Sequence, residues 1–372
     1  MNFEIKIYSE INNELRNSWQ DFEGLSSGYC FQSFDWFETW FETFKIKEKK
    51  SLIQIVVVKN KLKIISILPF EIKKKNSLNM LKWAGDQHSD YCSPLISKDF
   101  IFNNENFTYI FKEILKKIVK IDIVFLEKQP KQINLMDNPF VSYLKNYTDS
   151  KTYSILLPTK WDEYNKKNLK KDFYLQNKRK KKNLKREGVL NFKRFDLPER
   201  MCEIIDKLFI QKNLRLTSKG LPNLSTSSQL KFYKSLSLRK NKYIKIHLNA
   251  LTFNKELIGI HWGLVYQKRF YYLLLSMDQE KLKRFSPGRL LISFLIRLSI
   301  SKRLEVFDFT LGSESYKKSW SNRSSYLFNH ISAYSVKGLC FLPFFKFKVY
   351  VKHIDTNGQL RKIYLYLKNL FK

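Results

Sequence analysis

Tyr271-Tyr272-Leu273-Leu274-Leu275-Ser276-Met277, then Arg284-Phe285-Ser286-Pro287-Gly288-Arg289, then Phe307-Asp308-Phe309-Thr310-Leu311-Gly312-Ser313-Glu314-Ser315-Tyr316-Lys317-Lys318-Ser319-Trp320 are the three pieces on which the fold is decided. They read as a strand, a turn that starts a helix, and a second strand ending in a polar loop. Ser286 is a good helix N-cap, Pro287 suits a first turn, and Gly288 lets a ligand approach the backbone. The first N–H groups of a helix have no internal partner, and the dipole favours negative charge there. Arg284 and Arg289 add charge for a phosphate. The plainer alternative is a well-capped helix and nothing more. Beyond the second strand the chain turns abruptly polar at Gly312–Trp320, where a loop on a rigid scaffold carries function.

Working outward, the pattern before this segment is a meander of strands Tyr243–Phe253, Glu256–Tyr266 and Arg269–Met277. Asn254-Lys255 and Gln267-Lys268 serve as two-residue turns, so pairing is antiparallel. The helix Arg289–Ser301 and the strand Glu305–Thr310 follow. Upstream lie a strand Thr152–Leu157, a long basic helix Trp161–Arg186 ended by Gly188, a strand Val189–Phe195, and helices through Leu214 and Ser228–Leu238. The first part of the chain has a similar order: a hairpin of LIQIVVV and LKIISILPF, a strand near Leu78–Ala84, a turn-rich segment Gly85–Pro94, a helix Phe107–Val119 and a strand Ile121–Leu126. The polar stretch Pro130–Asp149 reads as the boundary. The expectation is therefore an α+β, or α/β, protein of two halves, 1–135 and 150–338, with a basic aromatic tail over 339–372.

The composition sets limits. There are 68 lysines and arginines against 34 aspartates and glutamates, a net charge of +34. So basic a chain meets phosphates, nucleic acid or anionic lipid, unless a lysine-rich genome alone accounts for it. Cys30, Cys92, Cys202 and Cys340 lie too far apart for zinc spacing or a disulfide framework. The sequence lacks the phosphate-loop, dinucleotide, nucleophile-elbow and zinc-protease signatures. No apolar run reaches the ~18 residues of a membrane span. The expected place is cytoplasmic, or peripheral at the inner membrane face. The run Lys166–Arg186 is expected to bind tRNA, an anionic membrane face or a nucleotide-linked sugar, or else is a solvated helix face.

Ser286-Pro287-Gly288, Asp308-Phe309, Gly312, Tyr316-Lys317 and Trp320, in this order, resemble the CelD/BcsL (BioF-like) acetyltransferase family of the GNAT superfamily, related to Fem-type transferases. The turn Gly85…Ser89-Asp90-Tyr91…Pro94 and the basic helix before Gly188 are similar too, so the likeness runs from about residue 15 to about residue 335. It implies tandem GNAT-like halves, each a mixed, mostly antiparallel sheet flanked by helices. It also implies a slot between Phe270–Met277 and Val306–Thr310. The pantetheine arm of acetyl-CoA, or of another acyl-CoA, would lie along Leu275, Ser276 and Met277, and its pyrophosphate would meet Arg284, Ser286, Gly288 and Arg289. The sequence departs from the family's R/Q-x-x-G-x-G/A pattern by keeping one glycine there.

Acyl transfer to an amine needs a base, an acid and a polarised carbonyl, but no metal. Asp90, Asp308 and Glu314 are the candidate bases and Tyr316 the candidate acid. His88, Tyr91, Lys317 and Trp320 are the candidate contacts to the acceptor, a small-molecule or saccharide-linked amine. The alternative for each is local: a turn shaped by His88 and Asp90, a loop tied by Asp308, a core filled by Trp320. The expected activity is N-acyl transfer from acyl-CoA in polysaccharide or envelope synthesis. Two alternatives stand beside it: a Fem-like transferase using aminoacyl-tRNA, and a non-catalytic polyanion-binding scaffold.

Overall fold

The computed structural model describes residues 3–45, 51–75, 77–218, 227–277 and 282–354. The chain forms two compact units, Met1–Lys151 with Ser325–Lys372, and Thr152–Ser324.

The first unit runs β1 (Phe3–Tyr8), α1 (Asn13–Leu25), α2 (Phe34–Trp40), β2 (Ser51–Asn60), β3 (Lys63–Lys75), β4 (Leu78–Trp83), α3 (Asn104–Lys117) and β5 (Ile123–Pro130). Neighbours β1 to β4 pair antiparallel. The β4–β5 pair is parallel, and only at Met80–Leu81 with Ile123–Val124. Side chains alternate across the sheet. Val56, Val58, Phe70 and Leu81 pack against Phe107, Ile110, Phe111 and Ile114 of α3. Met80, Ile123 and Phe125 pack instead with Phe345 and Val349.

The second unit repeats this order. Two helices, α4 (Trp161–Asn168) and α5 (Lys171–Glu187), precede β6 (Leu190–Phe195), α6 (Pro198–Thr217), α7 (Ser227–Leu238), β7 (Lys245–Phe253), β8 (Glu256–Tyr266), β9 (Arg269–Met277), α8 (Pro287–Ser301), β10 (Val306–Leu311) and α9 (Ser315–Trp320). Strands β6 to β9 pair antiparallel. As in the first unit, the next pair, β9–β10, is parallel. Both turn residues in Asn254-Lys255 and in Gln267-Lys268 have positive φ, between 46° and 71°, the backbone that two-residue hairpins require. The core gathers Leu251, Phe270, Phe307 and Phe309 under Leu291, Leu295 and Ile296 of α8.

Four expectations are corrected. The basic helix is two helices, because Leu169 takes extended backbone (ψ 137°) and buries its side chain. The stretch 130–149, read as the boundary, belongs to the first unit: Asn138 caps a short helix Pro139–Tyr143 that plants Phe140 in that unit's core. The second half does not extend to 338, since Leu327–Ala333 pairs antiparallel with Ile123–Pro130 of the first unit. The tail begins as a helix, Val336–Ile354, which covers the first unit's sheet through Phe345 and Val349. Residues 355–372 of the expected tail lie outside the described residues.

Candidate active site

Strands β9 and β10 stay together for three residues, Arg269–Tyr271 against Val306–Asp308. Then they part. On its other side β9 remains paired with β8, but the register slips where Gly263 faces Tyr272 and Trp262 faces Leu274. Leu273 is thus the extra residue of a bulge, a device that bends a strand and re-aims its groups. From Tyr272 to Met277 the edge of β9 towards β10 carries no ladder partner among the described residues. An unpaired strand edge offers its N–H and C=O groups to an extended ligand.

Aromatic rings line the fork. Phe270 stacks on Phe307 at 5.0 Å, and Tyr272 lies 5.4 Å from Phe309. His261 stacks on Tyr272 at 4.6 Å. Gly263 makes room for that histidine: a Cβ there would stand 2.6 Å from its ring and 2.3 Å from the Tyr271 carbonyl oxygen. The Tyr272 hydroxyl is buried without a hydrogen-bond partner. Burial above all pushes its titration well above the ordinary value, with neighbouring Tyr316 and Glu314 adding to the shift and Arg215 opposing it. Deeper on the strand, Ser276 donates to Gln211 Oε1 at 2.8 Å.

The start of α8 departs from the expected cap. Ser286 sits in the left-handed region (φ 52°) and makes no side-chain cap bond. Its Oγ instead accepts from Lys180 Nζ at 2.6 Å. Its carbonyl accepts the Arg289 and Leu290 N–H groups. Burial, Arg289 and Arg179 all push the Lys180 ammonium below its usual titration range. Two cations therefore converge beside a helix start that no side chain caps. Arg289 also stacks on Phe173 at 4.8 Å. Arg284, by contrast, pairs with Glu187 at 2.7 Å on the surface and does not face this point as a free charge. A Cβ on Gly288 would meet Met277 Sδ at 2.2 Å, so the glycine leaves room for that thioether. Leu275 and Met277 are half-buried on the same strand.

The polar loop is a short helix, α9, and its residues divide. Asp308 is corrected as a base: one oxygen accepts from Arg269 at 2.7 Å, the other from the Thr310 N–H at 2.8 Å, and the group is 1 % exposed. It fixes the strand end. Lys317 is likewise committed, donating to the Leu311 carbonyl at 2.6 Å and pairing with Glu314 at 3.0 Å. Gly312, at φ 127°, leaves space for that pair, since a Cβ would fall 2.3 Å from Glu314 Oε2. Trp320 is buried against Phe173, and its carbonyl accepts the Tyr164 hydroxyl at 2.6 Å. That makes it packing rather than an acceptor contact at the fork. Tyr316 is half-buried and edge-on to Phe309. Burial and then Glu314 hold its phenol protonated well above the usual range, against the pull of Arg215.

Asp90, His88 and Tyr91 belong to the first unit. There Tyr91 is buried against Tyr29 and Phe31, its carbonyl accepting from Gln32 at 2.8 Å, and His88 stacks on Phe44 at 3.9 Å. Lys128 Nζ donates to the carbonyls of Asp86 and Ser89 and holds the turn. His88 and Tyr91 are thus packed into this loop, and Asp90 lies between Ser89 and Tyr91 in it. Sequence reasoning missed Tyr272, Arg215 and Lys180. A phenol in an otherwise apolar strand was a readable signal for Tyr272, but Arg215 and Lys180 are single cations among many.

Among the described residues no cluster of His, Cys, Asp and Glu could hold a metal, and no helix is long and apolar enough to cross a membrane. Residues 172–318 match the family model described as an acetyltransferase (GNAT) domain. No curated protein matches the chain by sequence. In fold the chain is similar to FemX, with 12% identity, a TM-score of 0.59, and coverage of 89% of this chain and 98% of that one. It is also similar to a conserved protein of unknown function from Bacteroides thetaiotaomicron VPI-5482, with 10% identity, a TM-score of 0.53, and coverage of 89% and 100%. The forked strands and the uncapped helix start lie within residues 172–318, the segment that matches the acetyltransferase (GNAT) domain model, in a chain whose fold is similar to that of FemX.

Proposed function

We propose that the second unit transfers an acyl group, acetyl from acetyl-CoA in the first instance, to an amine acceptor. The observation that carries this reading is the fork of β9 and β10 placed beside the α8 start, where Lys180 and Arg289 converge. The pantetheine arm pairs its amides with the open edge Tyr272–Met277, and the pyrophosphate lies on the helix start. The amine nitrogen attacks the thioester carbonyl, a C–N bond forms and the C–S bond breaks. Glu314 receives the ammonium proton, and Tyr316, kept protonated, donates to the leaving thiolate. The acceptor is a small-molecule or saccharide-linked amine, and polysaccharide or cell-envelope synthesis, on the cytoplasmic side, is where such an acceptor is used. The fold likeness to FemX and the basic α5 support one other donor, an aminoacyl-tRNA.

Calorimetric titration separates the two donors. The double variant Lys180→Glu, Arg289→Glu should bind acetyl-CoA about 100-fold more weakly, since each charge-assisted hydrogen bond contributes about 1.5–3 kcal/mol. Undetectable binding of acetyl-CoA to the native protein, with retention of charged tRNA, would replace the first donor by the second.

A further inference from the structure

Between α5 and α8 lies a cavity of about 180 Å³. Its wall holds Trp161, Asn177, Lys178, Lys181, Arg297 and Trp320, and no acidic residue lines it. Three features set it apart from a gap in packing. First, the cations face rings and each other rather than carboxylates: Arg297 stacks on Trp161 at 4.3 Å and Lys181 on Phe294 at 4.4 Å. Burial, Arg297 and Lys185 push the Lys181 ammonium down, as expected where positive charge gathers without relief. Second, Asn177 is only 8 % exposed, and both its amide nitrogen and its amide oxygen lack a hydrogen-bond partner. A buried amide left unpaired on both sides is costly unless a water or a ligand meets it, and Asn177 lines a cavity with room for one. Third, the indole N–H groups of Trp161 and Trp320 are buried and unpartnered as well.

These features specify a ligand. The cations and indole N–H groups ask for an anionic oxygen. The Asn177 carbonyl asks for an N–H donor, which a phosphate lacks. A guanidinium such as that of Arg297, already stacked on Trp161, is a group on which planar rings stack. An anion, an N–H edge and a flat ring together are the chemistry of a nucleotide. We propose that this cavity is a nucleotide-phosphate site, an assignment that does not depend on the donor reading of the fork.

The probe is adenosine 3′,5′-bisphosphate, followed by the fluorescence of the native protein, in which Trp161 and Trp320 line the cavity. Saturable quenching is expected, weakened at least tenfold in Arg297→Gln and in Asn177→Leu and unchanged in Lys166→Gln on the exposed side of α4. Two isosteric or near-isosteric variants at separate positions guard against loss of folding, which the melting curve of each reports. If quenching persists in saturating acetyl-CoA, the cavity serves a nucleotide of its own and the assignment stands; if saturating acetyl-CoA abolishes the quenching, the cavity is only the end of the donor site and the assignment is overturned. Quenching weaker than ~1 mM, or inorganic phosphate binding as tightly as the bisphosphate, overturns it. The donor reading fails on a different measurement, acetyl-CoA binding by Lys180→Glu, Arg289→Glu.

Discussion

The two units place the same event, a parallel pair that parts after two or three residues, in opposite surroundings. In the first unit the parting of β4 and β5 is closed from within. Lys82 on β4 pairs with Glu127 on β5 at 3.1 Å and with Asp86, all three nearly buried. The Cys92 N–H donates to the Lys128 carbonyl, so the loop Gly85–Pro94 is drawn across the strand ends. The helix that follows is capped by its own side chains, Asn103 and Asn106 exchanging bonds of 2.8 and 3.0 Å, with Glu105 in the first turn. In the second unit no ion pair bridges β9 and β10 beyond Asp308 among the described residues, the rings beside the fork are Tyr272 and Phe309, and α8 begins with two cations and no cap. One half spends its polar groups on itself, and the other leaves them for a ligand.

That contrast can be broken at several points. The largest effect is expected at Tyr316→Phe, which removes the proposed proton donor and should lower kcat by about 10²–10⁴ with donor affinity nearly unchanged. Full turnover with an identified acceptor would assign the proton to water. In the first unit, Lys82→Met leaves two buried carboxylates without their cation. It should destabilise the protein by about 3–5 kcal/mol in denaturant unfolding while acetyl-CoA affinity stays within twofold. A loss of affinity as large as in the Lys180 and Arg289 variant would mean that the first unit's closed parting also binds donor.

Acid should find the second unit's sheet. His247 is buried, beside Arg194, Lys302 and Lys245, and its titration is pushed from 6.5 down to about 3, first by burial and then by those cations. His261, wholly buried with neither ring nitrogen bonded, moves the same way. Both are neutral in the folded state. Below pH ~6.5 the unfolded chain takes up protons that the folded chain refuses, so stability falls as pH drops from 6.5 towards 3, by up to about 1.4 kcal/mol per pH unit for each histidine. Unfolding free energies across that range should have a shallower slope in His247→Leu. An unchanged slope would place the acid sensitivity elsewhere. The smallest effects test the helix starts themselves. Asn103→Ala should cost about 1 kcal/mol, as loss of a cap does. Ser286→Gly should cost almost nothing, because glycine accepts the left-handed backbone that serine holds there.

Much of this was legible in the chain. The three meander strands of the second unit begin and end within two residues of their expected bounds, because alternation and two-residue turns are local signals. The Ser286-Pro287-Gly288 turn was correctly placed at the head of a helix. Its chemistry was not, since Ser286 gives its oxygen to Lys180, 106 positions away, instead of capping the helix. The commitments of Asp308 and Lys317 were hidden for the same reason. Nothing near Asp308 in sequence announces Arg269 across the sheet, and nothing near Lys317 announces that its ammonium turns back onto Leu311. The Asn138–Tyr143 segment reads as part of the boundary because its anchor, Phe140, is one apolar residue in a polar run.

The sequence by itself determined the elements, their repeated order, the basic surface of α5 and the absence of the common nucleotide and protease signatures, for these follow from periodicity, turn chemistry and composition over a few neighbouring residues. Only the tertiary structure decided which polar groups are committed and which are free. It alone parted β9 from β10, closed the first unit's parting with Lys82 and Glu127, sent Leu327–Ala333 back to the first unit, and enclosed Asn177 with Lys181 and Arg297. A hydrogen bond or an ion pair is made between groups a few ångströms apart in space, and separation along the chain carries almost no information about that distance.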